Sequence, residues 1–277
     1  MKTQKSFKKR ALLSSIAMLL VATVAVGSAT FAWFAANPKA NASGLSLKTT
    51  AATGLVVRTD SDEVWSHEAA LYKGQTKGFD LQPVSQEQET PANFWKITAK
   101  DSSKPDYDTE ATMTVANIGT YNAPGDVYKE KVYFRLSDGS AATTDNVYLT
   151  GVTITKNKDA NMENAIRVAI VDKDDNLLGT YAIASGGANG TLTTSSKTAG
   201  AFDPALATSV PSAGIKVADG SNLTAKADDL DQYVTVYVYL DGQDNDCYSD
   251  KVGTVNAAEI ISSVQVDFQL KPTTATT

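Results

Sequence analysis

Four aspartates fall within ten residues near the C-terminal end of the chain, where their side chains could bind a cation. Asp241, Asp244, Asp246 and Asp250 are separated by Gly, Gln, Asn and Ser, residues typical of a loop, and by Cys247 and Tyr248. Hard cations such as Ca²⁺ bind several oxygen ligands in a flexible loop, so the segment predicts a calcium site. The EF-hand order is absent, with no Gly at the sixth position and no closing Glu. The alternative is a solvated turn between two strands.

The residues that most often carry catalysis are scarce. The chain holds one histidine, His67, and one cysteine, Cys247. His67 begins a stretch like the helix of zinc proteases, but Leu71 stands where that helix needs a second histidine. A lone cysteine without a neighbouring histidine is a weak nucleophile. We therefore expect no enzymatic activity and no cofactor other than calcium. A hydrolase that uses the metal of the acidic loop is a third, separate hypothesis.

The elements that position these residues are predicted to be strands. Alternating or continuous apolar runs bounded by turn residues recur along the chain, and no βαβ rhythm is present. This pattern predicts an all-β fold, an antiparallel β-sandwich of the jelly-roll kind with a few short helices. The strongest strands are Tyr233–Leu240 and Val264–Leu270, and Ala165–Val171 with Leu177–Tyr181 reads as a hairpin. Further predicted strands are Leu45–Lys48, Leu55–Arg58, Phe94–Ala99, Thr109–Ala116, Val132–Leu136 and Val147–Thr155.

Other segments interrupt this pattern. Val64–Tyr72 follows the capping residues Asp60, Ser61 and Asp62 and is predicted as a short helix, and Ala257–Ser262 as a helical turn. Residues 184–227 are rich in Gly, Ser, Thr and Ala and are predicted as an insertion that contributes little to the core. The sandwich domain is expected to span residues 43–271, followed by a disordered tail over residues 272–277.

The first 42 residues have the pattern of an export leader. Five basic residues lie within Met1–Arg10, and no charge follows between Ala11 and Ala36. A signal peptidase would cleave after small residues, which fits Ala42 or, as an alternative, Ala32. The apolar run is also long enough to remain as an N-terminal membrane helix, since a span needs about 20 residues. Both readings predict a protein that is secreted or held at the cell surface.

The charge balance limits the partners. The chain has 25 basic and 31 acidic residues, and loss of residues 1–42 leaves 19 basic and 31 acidic residues, a net charge of −12. An acidic body repels the phosphates of nucleic acids and anionic lipids. We therefore expect no nucleic-acid partner, and membrane contact only through the leader. A single cysteine allows no disulfide within the chain, so the fold must be held by its core.

Three parts of the sequence together resemble one family. They are Gly27–Phe34 at the end of the leader, Ser43–Lys48, and the C-terminal pair formed by Val236–Cys247 and Val264–Leu270. These parts resemble the TasA/camelysin family of Gram-positive bacteria, whose members are exported with a SipW-type signal peptidase. The resemblance implies a jelly-roll subunit of extracellular biofilm fibres that associates with copies of itself or with other matrix proteins. The peptidase activity that the name camelysin suggests is not transferred, because the chain has only one histidine.

The resemblance also implies a way for copies to associate. Subunits of this family can give their N-terminal strand to the sheet of the next molecule, which in this sequence would be the segment 42–50. Leu45 and Leu47 would then fill pockets of the acceptor. The alternative is that this strand pairs within its own domain. A second hypothesis for the function is a cell-surface adhesin or carbohydrate-binding module, in which Trp65, Trp95 or Tyr121 stacks on sugar rings.

Overall fold

A computed structural model describes most of the chain after residue 45. The described residues are 46–51, 54–71, 81–96, 114–120, 125–140, 145–156, 165–184, 192, 204–226, 230–244, 247 and 261–271, of which 46–51, 156 and 261–263 are described by their backbone only. The chain divides into the units Met1–Ala40 and Asn41–Thr277, and the described residues all belong to the second unit. Among the described residues, no helix has the length and apolar character that a bilayer crossing requires.

Strands make up more than half of the described residues and helices almost none, so the all-β prediction is confirmed. A short 3-10 helix lies at Gly220–Asn222. The strands are β1 (Ser46–Ala51), β2 (Leu55–Thr59), β3 (Glu68–Leu71), β4 (Pro83–Gln86), β5 (Phe94–Lys96), β6 (Thr114–Val115), β7 (Ile118–Gly119), β8 (Val127–Leu136), β9 (Asn146–Lys156), β10 (Ile166–Asp172), β11 (Leu177–Tyr181), β12 (Ile215–Ala218), β13 (Tyr233–Asp241) and β14 (Ile261–Lys271).

The strands form two sheets. Sheet A has the order β12-β9-β14-β1-β3. Sheet B has the order β11-β10-β13-β4-β5-β6. Strand β8 also belongs to this sheet and pairs with β13, β2 and β7. Most neighbours are antiparallel, but β1 with β14, β4 with β13 and β7 with β8 are parallel. The prediction of a purely antiparallel sandwich is therefore wrong at these pairs, because strand direction depends on the connections and not on the residue pattern of each strand.

The main core lies between the two sheets. Strand residues alternate between two faces, so every second side chain of a strand can join this core. Phe134 of β8 and Phe268 of β14 meet edge to face at 4.7 Å between ring centroids, which ties sheet B to sheet A. Residues of both sheets fill the same buried cluster, among them Leu149, Ile154, Val264 and Val266 from sheet A and Val132, Val168, Ile170, Val236 and Val238 from sheet B. The arrangement is sandwich-like.

A second, smaller core covers part of the other face of sheet B. Phe94 of β5 packs against Tyr237 and Tyr239 of β13, with ring centroids 5.1 Å and 5.0 Å apart. Val84 and Ala169 are also buried in this cluster. Sheet B is thus apolar on both faces where β4 and β5 lie, which explains why β13 is aromatic and β-branched along its whole length.

The predicted helix at Val64–Tyr72 is wrong. Ser66 forms an isolated bridge with Val57, and Glu68–Leu71 is strand β3, paired with β1. Ala69 and Leu71 are buried in the main core, while Glu68 is exposed. A stretch of four residues gains little from helix propensity, so pairing with a neighbouring strand decides its conformation. The helical turn predicted at Ala257–Ser262 is also wrong at its end, because β14 begins at Ile261, and residues 257–260 lie outside the described residues.

Part of segment 184–227 belongs to the fold, contrary to the prediction that it contributes little to the core. β12 pairs antiparallel with β9 and forms the edge of sheet A. Val217, Ala218 and Leu223 are buried in the main core. The prediction failed because β12 is only four residues long and lies among small polar residues that dominate the composition.

Candidate functional site

The acidic loop predicted to bind calcium begins at the end of β13. Asp241 is the last residue of that strand, and Asp244 follows in a tight turn where its N–H donates to the carbonyl of Asp241 at 3.2 Å. The N–H of Gly242 donates to the carbonyl of Val84 at 2.9 Å, which fixes the turn to β4. Asp246 and Asp250 lie outside the described residues.

Asp241 and Asp244 are paired with a buried arginine. Nη2 of Arg167, on β10, lies 3.0 Å from Oδ2 of Asp241 and 2.5 Å from Oδ2 of Asp244. Arg167 is only 2 % exposed and stands opposite Tyr239 in the register of β10 and β13. Burial acts to lower the pKa of Arg167, but the charges of Asp241 and Asp244 outweigh it, so this pKa is raised and the guanidinium stays charged.

This ion pair gives the acidic loop a structural task. The two carboxylates neutralise a cation that the sheet buries, and the arginine in turn holds the loop against β10. A calcium ion would have to compete with the guanidinium for these carboxylates, so the pairing opposes calcium at Asp241 and Asp244. Among the described residues, no group of three or more His, Cys, Asp and Glu side chains is placed to hold a metal ion. The calcium site stays a prediction, since half of its ligands lie outside the described residues.

Cys247 closes the same loop and is fully buried. Its N–H donates to the carbonyl of Asp244 at 3.1 Å. Burial, with the charges of Asp241 and Asp244, raises the pKa of the thiol from 9.0 to about 12, although Arg167 acts in the opposite direction. The thiol is therefore protonated and shielded at neutral pH, which is the opposite of what a nucleophile requires.

His67 directly precedes β3, far from the acidic loop in the sequence, and its side chain is exposed. Its Nδ1 is 3.0 Å from the carbonyl oxygen of Leu55. The strand that follows places Glu68 outward and Ala69 inward. The helix on which zinc proteases carry their ligands, which this stretch of sequence resembles, therefore does not form.

The segment predicted as a donor strand is part of sheet A in this chain. β1 lies between β14, to which it is parallel, and β3, to which it is antiparallel. Leu47 stands opposite Val264 on one side and Leu71 on the other. The strand thus pairs within its own domain, as the alternative reading expects. Leu45 and the two predicted cleavage sites, Ala42 and Ala32, lie outside the described residues.

A further set of side chains was not singled out from the sequence. Even-numbered residues of β8 such as Val132 and Phe134 enter the main core, so the odd-numbered residues face outward. There they meet cations and aromatic rings of β2, β13 and the loop before β3. We call this set the cation–aromatic face, and it consists of Arg58, Trp65, Lys129, Lys131, Tyr133, Arg135 and Tyr233. The alternation of Lys129, Lys131, Tyr133 and Arg135 in the sequence is the signal that could have revealed it.

The aromatic residues proposed to stack on sugars have different positions. Trp65 is half-buried on the cation–aromatic face, with the guanidinium carbons of Arg135 and Arg58 at 5.0 Å and 5.8 Å from its ring. Trp95 is also half-buried, and its Nε1 donates to Glu87 at 3.4 Å. Tyr121 lies outside the described residues.

Comparison with known proteins places this chain with none of them. No family model, no curated protein and no solved structure matches it.

Proposed function

We propose that this is an exported, non-catalytic structural protein of the cell surface or extracellular matrix, whose copies associate by exchange of the N-terminal strand. The observation that supports this proposal is the position of β1. This strand comes early in the chain, yet it lies inside sheet A, with β14 on one side and β3 on the other. All six of its residues, Ser46–Ala51, pair with β14, and the four residues Leu47–Thr50 also pair with β3.

Such a position suits exchange between copies. If β1 left the sheet, facing main-chain groups of β14 and β3 would lose their partners, and an unpaired strand edge readily accepts another extended segment. The same segment of a second copy has the same sequence and therefore restores the same pairing. Cleavage of the leader at Ala42 would free the segment, and Leu45 and Leu47 would then fill the acceptor. Repeated exchange in one direction produces a fibre, because each copy is donor and acceptor at once.

The finer features of this proposal come from the sequence. The basic and apolar leader supports export and, if it is kept, an N-terminal membrane helix. The sandwich-like pair of sheets is compatible with a jelly roll and with the resemblance to the TasA/camelysin family. On this proposal the partners are further copies of the chain or other matrix proteins, and nucleic acids are not among them.

Assembly of the purified exported protein tests the proposal. We expect fibres by electron microscopy and a sedimentation velocity that increases with concentration at near-neutral pH. A synthetic peptide of residues 43–51 should compete for the acceptor and reduce assembly, whereas a scrambled peptide of the same composition should not. A protein that stays monomeric at high concentration would contradict the proposal. N-terminal sequencing of the secreted material separates cleavage after Ala42 from cleavage after Ala32 or retention of the leader.

The second candidate function is a cell-surface adhesin or carbohydrate-binding module. The observation that favours it is the half-buried indole of Trp65, which lies beside Arg58 and Arg135 on the outer face of sheet B. Flat aromatic rings at a protein surface suit the apolar faces of sugars. Binding to an array of glycans would support this function, and an array without any bound glycan would contradict it.

A further inference from the structure

The cation–aromatic face is built by strand register. Tyr133 of β8 stands opposite Arg58 of β2 on one side and Tyr233 of β13 on the other. The rings of Tyr133 and Tyr233 are 5.7 Å apart between centroids. Nζ of Lys131 lies 3.9 Å from the centroid of Tyr233, close enough for a cation–π contact. The side chains thus form one continuous surface across three neighbouring strands.

Part of the positive charge on this surface has no matching carboxylate. Arg135 is paired with Asp138 at 2.5 Å, and Asp60 accepts a hydrogen bond from the hydroxyl of Tyr133 at 2.7 Å. Lys129, Lys131 and Arg58 have no carboxylate within ion-pair distance among the described residues. In a chain of net charge −6, an uncompensated group of cations on one face attracts a ligand of opposite charge.

The rings add a second kind of recognition. Trp65 and Tyr233 are half-buried, so part of each side chain remains open to solvent. Aromatic faces offer apolar contact to sugar rings, while the adjacent cations offer charge-assisted hydrogen bonds to carboxylates. A ligand that matches both features carries pyranose rings and negative charge in the same chain.

The spacing of the cations favours a polymer of moderate charge density. Lys129 and Lys131 project from alternate residues of β8, which places their Cα atoms about 7 Å apart along the strand. Nucleic acid carries its charges more densely, at about 3.4 Å per strand, and needs more cations than this face provides. A polysaccharide with a carboxylate on its sugar rings fits the face better.

We propose that the cation–aromatic face binds an anionic polysaccharide that bears carboxylates. Trp65 and Tyr233 contact its sugar rings, and Arg58, Lys129 and Lys131 bind its carboxylates. Tyr133 is buried and supports the site by packing against Tyr233. The proposal rests on the second candidate function and names its ligand class, and it is independent of strand exchange because β1 belongs to sheet A. A protein of the extracellular matrix could therefore carry both properties.

Binding to three polymers tests the ligand class. With the purified full chain, we expect binding to polygalacturonate, which weakens with salt, and little binding to neutral dextran or to polyphosphate. Equal binding of polyphosphate or single-stranded DNA would overturn the proposal, because charge alone would then suffice. Binding of dextran as strong as that of polygalacturonate would overturn it as well, but would leave the second candidate function standing. Absence of binding to every polymer would overturn the proposal, and the glycan array would then decide the second candidate function separately.

Variants locate the site. Replacing Lys129 and Lys131 together by Ala, or Tyr233→Ala alone, should weaken binding of polygalacturonate by at least about tenfold. The matched control replaces Lys216 and Lys271 by Ala, which removes the same charge from lysines of sheet A, the other sheet. Circular dichroism checks that each variant is folded, and sedimentation checks assembly separately. An equal loss of binding in the control pair would overturn the assignment to this face.

Discussion

At the scale of single residues, the buried arginines Arg167 and Arg135 show how buried charges are paired on the outer face of sheet B. Arg167 is paired with Asp241 and Asp244, and Arg135 with Asp138 and the carbonyl of Ala225 at 2.9 Å. Burial of an ion pair contributes little net stability, but removal of one partner leaves an uncompensated charge. The acidic loop and the arginine therefore depend on each other, although they are far apart in the sequence.

Arg167→Met tests this dependence. The change removes the guanidinium from the carboxylates of Asp241 and Asp244, and we expect the free energy of unfolding to fall by about 3 kcal/mol. Urea denaturation measures the loss. The control is Lys173→Met, which removes an exposed lysine from an ion pair with Asp174 and should leave the unfolding midpoint unchanged. An Arg167→Met protein as stable as the parent would show that the loop does not need the guanidinium. If this variant does not fold, the milder Asp244→Asn variant should be destabilised in the same direction.

At the scale of elements, the edge of sheet A is fixed by a close approach of two backbone segments. The 3-10 helix Gly220–Asn222 follows β12, and the side chain of Asp219 accepts a hydrogen bond from the N–H of Ser221. Hydrogen bonds from Ser221 and Lys216 lower the pKa of Asp219, so this cap is charged at neutral pH. The N–H of Gly220 donates to the side chain of Asn146 at 3.1 Å, which joins the turn to β9.

Gly220→Ala should disrupt this junction. A Cβ at this position would lie 1.8 Å from the carbonyl oxygen of Asp145, a backbone atom that has no room to move independently of β9. We expect a loss of about 1–3 kcal/mol in the free energy of unfolding. Hydrogen exchange should show faster opening of Ile215–Ala218. Ser209→Ala, at an exposed position in the same segment, is the control. Unchanged exchange in β12 would mean that the strand does not rely on this turn.

At the scale of the whole molecule, ionisable groups that are buried in their neutral form set a limit on alkaline stability. Burial raises the pKa of Tyr181 from 10.0 to about 12. Burial, with the charges of Asp175 and Tyr233, raises the pKa of Tyr237 from 10.0 to about 12. The pKa of the Cys247 thiol is also raised, from 9.0 to about 12. Above pH 9 the unfolded chain releases these protons while the folded protein retains them.

The free energy of unfolding should therefore keep its full value below pH 9 and fall progressively as the pH approaches 12, where these groups also ionise in the folded protein. Tyr181→Phe should flatten this decline by up to about 1.4 kcal/mol per pH unit, because one ionisable group is removed. At pH 7 the variant should be close to the parent, since the buried hydroxyl of Tyr181 has no hydrogen-bond partner among the described residues. Denaturation at several pH values measures both the slope of the alkaline decline and the stability at pH 7. Parallel curves for parent and variant would show that Tyr181 does not contribute.

Long strands with a clear pattern could be predicted, and short ones could not. Val264, Val266 and Phe268 alternate in the sequence and are buried in the structure, as the period of two predicts. The hairpin of β10 and β11 also forms where predicted, with Asp172 and Asn176 closing its turn. β3 and β12 have four residues each, too few to show a period, and their conformation depends on neighbours that are distant in the chain.

The same division applies to the candidate site. The cluster of aspartates could be found in the sequence, because the residues around it are typical of a loop. The residue that pairs with these aspartates could not be found in the same way. Arg167 lies more than seventy positions before Asp241, and only the register of β10 with β13 brings the two together.

What the sequence determined by itself is local, because strand character and turns follow from the pattern of neighbouring residues. It determined the all-β class, the long strands and the scarcity of catalytic residues. The tertiary structure alone decided which strands are neighbours, where the parallel pairs lie, and that the odd-numbered residues of β8 join Arg58, Trp65 and Tyr233 on one face. The physical reason is that these contacts arise between distant segments when two sheets bury their apolar faces together, and no short stretch of sequence records its partner in that packing.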